Sequence, residues 1–323
     1  MKKTHWMTAA FAALTLALAA TGLQAQEKKA PATSAAAKAP AQRQFATPED
    51  AVKALVDAVR AEDANSLLAV IGPKSKSWLF SGDKVADKAA WKKFLAAYDL
   101  KNNLTKEGDA KAVLGVGDDN WTFPAPLVRA ADQWAFDADA GREEVINRRV
   151  GRNELDTMQT LLAIVDAQRE YALHDADGNG LADYAVRFAS TPGKKDGLYW
   201  PTKDGEPPSP LGPLVAKAVR EGYSGKARAG QPQPYHGYIY RMLTAQGKDA
   251  PGGAYSYLLH GKLFGGFAVL AYPATYGASG VKSFMVNHDG VVYEGDLGPK
   301  TATEAARIRQ FNPGPGWTRS DVK

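Results

Sequence analysis

Asp175-Ala-Asp177-Gly-Asn179-Gly-Leu181-Ala-Asp183 concentrates more potential chemistry than any other stretch of the 323-residue chain. It sets side-chain oxygens at loop positions 1, 3, 5 and 9 and a glycine at position 6. Hard oxygen donors in that order are what a calcium ion takes up, with a backbone carbonyl near Leu181 as a further ligand and Gly180 permitting the sharp turn. Asp175, Asp177, Asn179, Leu181 and Asp183 are therefore the expected metal ligands, and calcium the expected cofactor, in a structural role. Three carboxylates so close in sequence repel one another without a cation. The bland alternative is a polar turn held by Asx hydrogen bonds. The loop is not an EF-hand, because its twelfth position is Val186 where that motif has a bidentate glutamate.

The other candidate groups are sparse. His174 adjoins the loop, where imidazolium suits a helix C-terminus. His236 stands among aromatic residues in an expected strand, as a packing histidine or, alternatively, a general base. His260 sits in a glycine-rich hairpin region, and His288 occupies a turn, where exposure is expected. No His-x-x-x-His or His-Glu-x-x-His spacing supports a catalytic zinc ion. Gly-x-Ser-x-Gly is absent and Ser279-Gly280 lacks the context of a nucleophile elbow. Gly252-Gly253 and Gly265-Gly266 lack the flanking pattern of phosphate loops. No catalytic residue and no organic cofactor is assigned.

The elements that must position these groups follow from periodicity. Thr47-Pro48-Glu49-Asp50 is an N-cap with proline in the first turn, opening a helix to about Ala61 with Val52, Leu55, Val56 and Val59 on one face. A second helix is expected over Ala64–Ile71 and a third around Lys88–Tyr98. Strands are expected at Ala110–Val116, Trp121–Val128 and Gln133–Phe136. The longest helix is expected over Arg142–Tyr171, bent near Gly151, with an apolar stripe of Leu155, Met158, Leu161, Leu162 and Val165 for packing. Asp156, Gln159 and Gln168 lie off that stripe. Beyond the acidic loop come strands at Tyr184–Phe188, Tyr235–Leu243, Phe264–Tyr272, Val281–Asn287 and Val291–Glu294. Two helices, Leu214–Glu221 and Thr301–Phe311, complete the set.

The N-terminus reads as a targeting segment. Lys2 and Lys3 precede an apolar run from Met7 to Ala20, and a small residue, Ala25, suits cleavage before Gln26. The run is too short for a comfortable membrane span of about 20 residues. Residues 26–44, rich in Ala, Pro, Lys and Gln, are expected to form a disordered linker. Cysteine is absent, which excludes disulfides, a catalytic thiol and a lipobox anchor. The net charge of +5 is too small to indicate nucleic acid.

Three helices followed by antiparallel strands resemble the helix-plus-curved-sheet architecture of nuclear-transport-factor-2-like domains, which often hold a pocket. Asn153-Glu154, the apolar stripe and Ala167-Gln168-x-x-Tyr171 resemble the soluble part of type IV pilin-like proteins. A longer series of motifs covers Phe45 to the C-terminus: Asp177-Gly-Asn-Gly, Asp183-Tyr-Ala, Gly197-Leu-Tyr-Trp200, Ser209-Pro-Leu-Gly-Pro213, Pro234-Tyr-His-Gly-Tyr238, Leu243-Thr-Ala-Gln-Gly247, Gly265-Gly-Phe-Ala268 and Asn287-His-Asp-Gly-Val-Val-Tyr293. Together they resemble the bacterial family of domain of unknown function (DUF) 2950, which implies an exported protein and lends no catalytic residues.

The expected architecture is therefore α+β: a signal peptide (1–25), a linker (26–44), an N-terminal helix-plus-curved-sheet domain (45–141), and a pilin-like domain (142–323) with the long helix on an antiparallel sheet. The expected function is a periplasmic or secreted, non-enzymatic binding or envelope-assembly module with a structural calcium loop. Its partner would be an envelope protein or small ligand, not nucleic acid, and no transmembrane segment remains after cleavage. The alternative is a periplasmic hydrolase assisted by the loop's metal or by His236.

Overall fold

The computed structural model describes residues 41–178, 180–223 and 233–320, leaving the expected leader, most of the linker, and Asn179 outside the described residues. The fold is α+β, with mixed helices and antiparallel sheets. Its helices start where side-chain oxygens are placed to take the orphan amides. Thr47 caps α1 (Pro48–Arg60) through Asp50 N, and Asp63 caps α2 (Ala64–Ile71) through Asn65 N and Ser66 N. A short α3 (Lys76–Leu79) leads to α4 (Lys84–Leu100), capped by Asp83. That cap starts the third helix earlier than Lys88, since the Ala/Lys-rich turn before it carries little apolar signal.

Next come β1 (Asn102–Lys106), β2 (Lys111–Val116), β3 (Trp121–Thr122), β4 (Leu127–Ala130) and β5 (Gln133–Phe136). They form an antiparallel sheet ordered β1-β2-β4-β5, with β3 also on β2. The expected strand Trp121–Val128 is split because Pro124 and Pro126 have no N–H to give to a ladder. The linker's end is already part of the fold: Gln42 Nε2 donates to Ile71 O (2.9 Å) and Phe136 O (2.7 Å). Helices α1, α2 and α4 lie against this sheet and enclose a core from Phe45 to Ala138.

Asp137 caps α5 (Ala138–Leu173), which serves two cores on roughly opposite faces. At about 100° per residue, Ala138, Gly141, Val145, Arg148 and Arg152 line one side. Thr157, Leu161, Ile164, Gln168 and Tyr171 line the other. The second stripe packs on β11 (Ala268–Pro273) and β12 (Lys282–Asn287), the middle of a sheet ordered β14-β13-β12-β11-β6. Its remaining strands are β6 (Tyr238–Leu243), β13 (Val292–Asp296) and β14 (Trp317–Arg319). Short pairs β7 (Ala245–Gln246) with β8 (Tyr255–Ser256), and β9 (Leu258–Leu259) with β10 (Lys262–Leu263), decorate it. Helices α6 (Gly212–Arg220) and α7 (Thr301–Arg307) complete the elements, α7 ending short of the expected Phe311.

Two residues of the long helix exchange their expected places. Leu155 is 57% exposed, whereas Gln168 is fully buried. Gln168 donates to Ala185 O and accepts from Ala185 N, both at 2.8 Å. The amide thus takes the place of a neighbouring strand, and Tyr184–Phe188 forms no strand of its own. Among the described residues no helix is long and apolar enough to cross a membrane.

Candidate functional site

The acidic loop follows α5, whose C-cap is His174, with Nδ1 2.9 Å from Glu170 O. Asp175 takes a positive φ of 40° and its Oδ2 accepts from Gly180 N at 2.9 Å. Asp177 and Asp183 converge on one cation, the Lys262 ammonium of β10, at 2.5 and 3.3 Å. Hydrogen bonding to Asp177, followed by the charge of Asp183, raises the Lys262 pKa. Tyr184 N donates to Leu263 O at 2.9 Å, so backbone and side chains both clip the loop to the β9/β10 hairpin. Of the expected ligands, the structure brings Asp177 and Asp183 together, turns Asp175 onto its own loop, and leaves the Leu181 side chain exposed. Asn179 lies outside the described residues. The donor chemistry suits calcium, but an ion between Asp177 and Asp183 would have to displace Lys262.

His236 occupies a turn instead of a strand. His236 and Gly237 both have positive φ (49° and 75°) between the mutually hydrogen-bonded Tyr235 and Tyr238, the geometry of a primed hairpin turn. Its ring faces Asp156 Oδ2 from Nδ1 at 3.5 Å and Glu221 Oε2 from Nε2 at 3.4 Å. The buried Asp83 holds the turn in place. Its Oδ1 caps α4, while its Oδ2 accepts from Tyr223 OH (2.8 Å) and Gly237 N (3.0 Å). Burial, then the charge of Asp83, holds the Tyr223 phenol far above its usual range. Ser279 is fully buried with its hydroxyl bound to Thr275 N and O, which makes it a structural group. His288 is less exposed than a turn implies: its ring lies edge-on to Tyr257 at 5.6 Å.

A third place was not assigned from sequence. Between α4, the sheet and the first half of α5 lies a cavity of about 200 Å³, walled by Leu55, Leu67, Ile71, Trp78, Trp91, Phe94 and Phe123. Arg148, Arg149, Arg152 and Trp121 stand along one side. Arg152 and Trp121 are exposed, so the cavity reaches solvent there. The cause is local to α4, whose apolar face of Trp91, Phe94, Leu95 and Tyr98 stays half-buried; Asp87 alone on this helix is buried. A cavity of about 150 Å³ accommodates benzene, so the space suits a ligand body slightly larger than one ring.

The sequence carries the aromatic residues that face the cavity and the arginines spaced on one helix face, but that pattern by itself reads as a packed face with a solvated edge. Among the described residues, no three His, Cys, Asp or Glu side chains are grouped to hold a metal ion. No curated protein and no solved structure matches the chain. One family model matches residues 42–320, nearly the whole of the described fold, and the chain accordingly belongs to the protein family of unknown function DUF2950.

Proposed function

We propose that the chain is an exported, non-enzymatic binding module whose ligand seat is the aromatic cavity beneath α4. The observation that carries this is the cavity itself: aromatic walls left half-buried, with an opening to solvent. We read the first half as nuclear-transport-factor-2-like in outline because helices lie over an antiparallel sheet with a cavity between them. The second half is read as pilin-like because α5 lies on a sheet, and it acts as the platform that presents the first. Cleavage after Ala25 places the mature protein in the periplasm or outside the cell, where an envelope protein is the expected partner. The acidic loop serves structure, with calcium as its proposed ligand in competition with Lys262.

The test is a titration with 3-phenylpropan-1-ol, a neutral ligand of one ring and a short tail, read by the fluorescence of the cavity tryptophans. Saturable binding is expected, together with a rise in Tm. Ala90→Phe, which places a ring into the cavity from α4, is expected to abolish both. Absence of saturation, or binding unchanged in Ala90→Phe, refutes the ligand seat. The hydrolase alternative retains one observation, His236 between Asp156 and Glu221. Loss of a measured hydrolytic activity in His236→Asn with an unchanged Tm would favour it.

A further inference from the structure

The arginines are not needed to close an apolar cavity. Arg148, Arg149 and Arg152 are spaced i, i+1 and i+4 on one face of α5, along the cavity's open side. Their commitments differ. Arg148 is neutralised by Glu144 (Nε to Oε1, 2.6 Å) and bound to Thr122, with its guanidinium 5.4 Å over the Trp121 ring. Arg149 gives one N–H to Trp78 O at 2.6 Å, leaving its other donors without a protein acceptor among the described residues. Arg152 has no ion pair or hydrogen bond among them. Glu144 pairs with Arg148, and the buried Asp87 carboxylate of α4 acts on Arg149 through space, so Arg152 is the cation at the rim of the apolar chamber with no acidic partner among the described residues. A guanidinium fork matches the two oxygens of a carboxylate, whereas an ammonium meets repulsion and an alcohol leaves most donors unused.

We propose that the cavity takes a small amphipathic anion: a ring-sized apolar body beneath α4, and one carboxylate at the mouth held by Arg149 and Arg152. The proposal rests on the cavity being a ligand seat, and adds the ligand's charge. One head group is expected because Arg148 is already paired. The part of the ligand enclosed beneath α4 is limited to about one ring by the volume of about 200 Å³.

The test compares three ligands that share a body: 3-phenylpropionate, 3-phenylpropan-1-ol and 3-phenylpropylamine, each titrated into the full described fold near neutral pH. The carboxylate is expected to bind about tenfold more tightly than the alcohol, and the amine more weakly than either. Raising salt from roughly 0.05 to 0.5 M should weaken the acid alone. Arg152→Gln, at an exposed position, should remove most of the acid's advantage over the alcohol, Arg149 keeping the remainder, and leave the alcohol unchanged. Equal affinities for acid and alcohol, or an Arg152→Gln variant that keeps the full preference for the acid, overturn the proposal while the cavity remains a ligand seat. Failure of all three ligands to bind overturns both.

Discussion

Replacing Lys262 by methionine isolates what the acidic loop does. The substitution keeps an unbranched side chain of similar length and removes the ammonium from between Asp177 and Asp183. Removing one partner of a buried ion pair costs about 3–5 kcal/mol because the other charge is stranded. Here Asp183 is 3% exposed and Asp177 15%, but the lysine side chain is 35% exposed, so water screens the site from one side. We therefore expect about 2–3 kcal/mol, a fall in Tm of roughly 3–5 °C for a chain of this size. Thermal unfolding followed by circular dichroism in EDTA measures it. The pH dependence has a definite sign. The Lys262 pKa is raised in the folded state, so its stabilisation is complete below the unfolded lysine value of about 10.4 and is lost as pH rises through the folded one. The difference between wild type and variant should be constant at pH values well below the unfolded lysine value and close as pH rises through the higher folded one. Adding millimolar calcium should restore Tm in Lys262→Met, where the ammonium no longer competes for Asp177 and Asp183, more than it raises wild type. A Tm within about 1 °C of wild type in EDTA would refute the electrostatic reasoning, and no response of the variant to calcium would refute the loop as a calcium site.

Two glycines of the same helix should respond in opposite directions to alanine. A Cβ at Gly151 meets nothing within 4 Å, so Gly151→Ala should stabilise by about 0.5–1 kcal/mol through helix propensity. A Cβ at Gly141 would lie 2.8 Å from Ala125 Cβ and 3.1 Å from its Cα, so Gly141→Ala should destabilise by about 1–3 kcal/mol despite the same propensity gain. Urea unfolding with unchanged slopes checks both, and equal effects would show that α5 does not pack as described. Asp83→Ala should cost about 3 kcal/mol, from the lost α4 cap and from leaving Tyr223 OH and Gly237 N unpaired. Asp83→Asn should recover the share owed to the cap and little more, and full recovery would contradict the role given to Oδ2.

What could be read from the sequence was whatever one element decides for itself. Thr47-Pro48 fixes the start of α1 because cap, proline and acids all lie within one turn. The strand at Gln133–Phe136 and the helix at Ala64–Ile71 likewise carry their own signals. The errors occur where a partner distant in sequence decides. Tyr184–Phe188 has strand composition, yet Gln168, 17 residues earlier, takes both backbone groups of Ala185. His236 looks like a strand residue until Asp83, 154 residues before Gly237, fixes the turn. The acidic loop was legible as a place where carboxylates need a cation. That Lys262 supplies one was not: the hairpin at His260-Gly261 is marked in the sequence, but nothing local shows that it folds back onto a loop 85 residues earlier.

The cavity is illegible for a different reason, and this makes it informative. Periodicity shows which side of an element turns inward; it does not show whether facing sides meet. On α4 the apolar residues recur at helical spacing, and the natural expectation is a packed face. The structure instead leaves Trp91 and Phe94 half-buried over a void, while the arginines of α5 extend across its open side. Half-buried aromatic rings line the cavity and guanidiniums stand at its mouth, and one occupant, an apolar body with a carboxylate end, meets both. That common solution links the cavity to the arginines more strongly than either feature points to a ligand on its own.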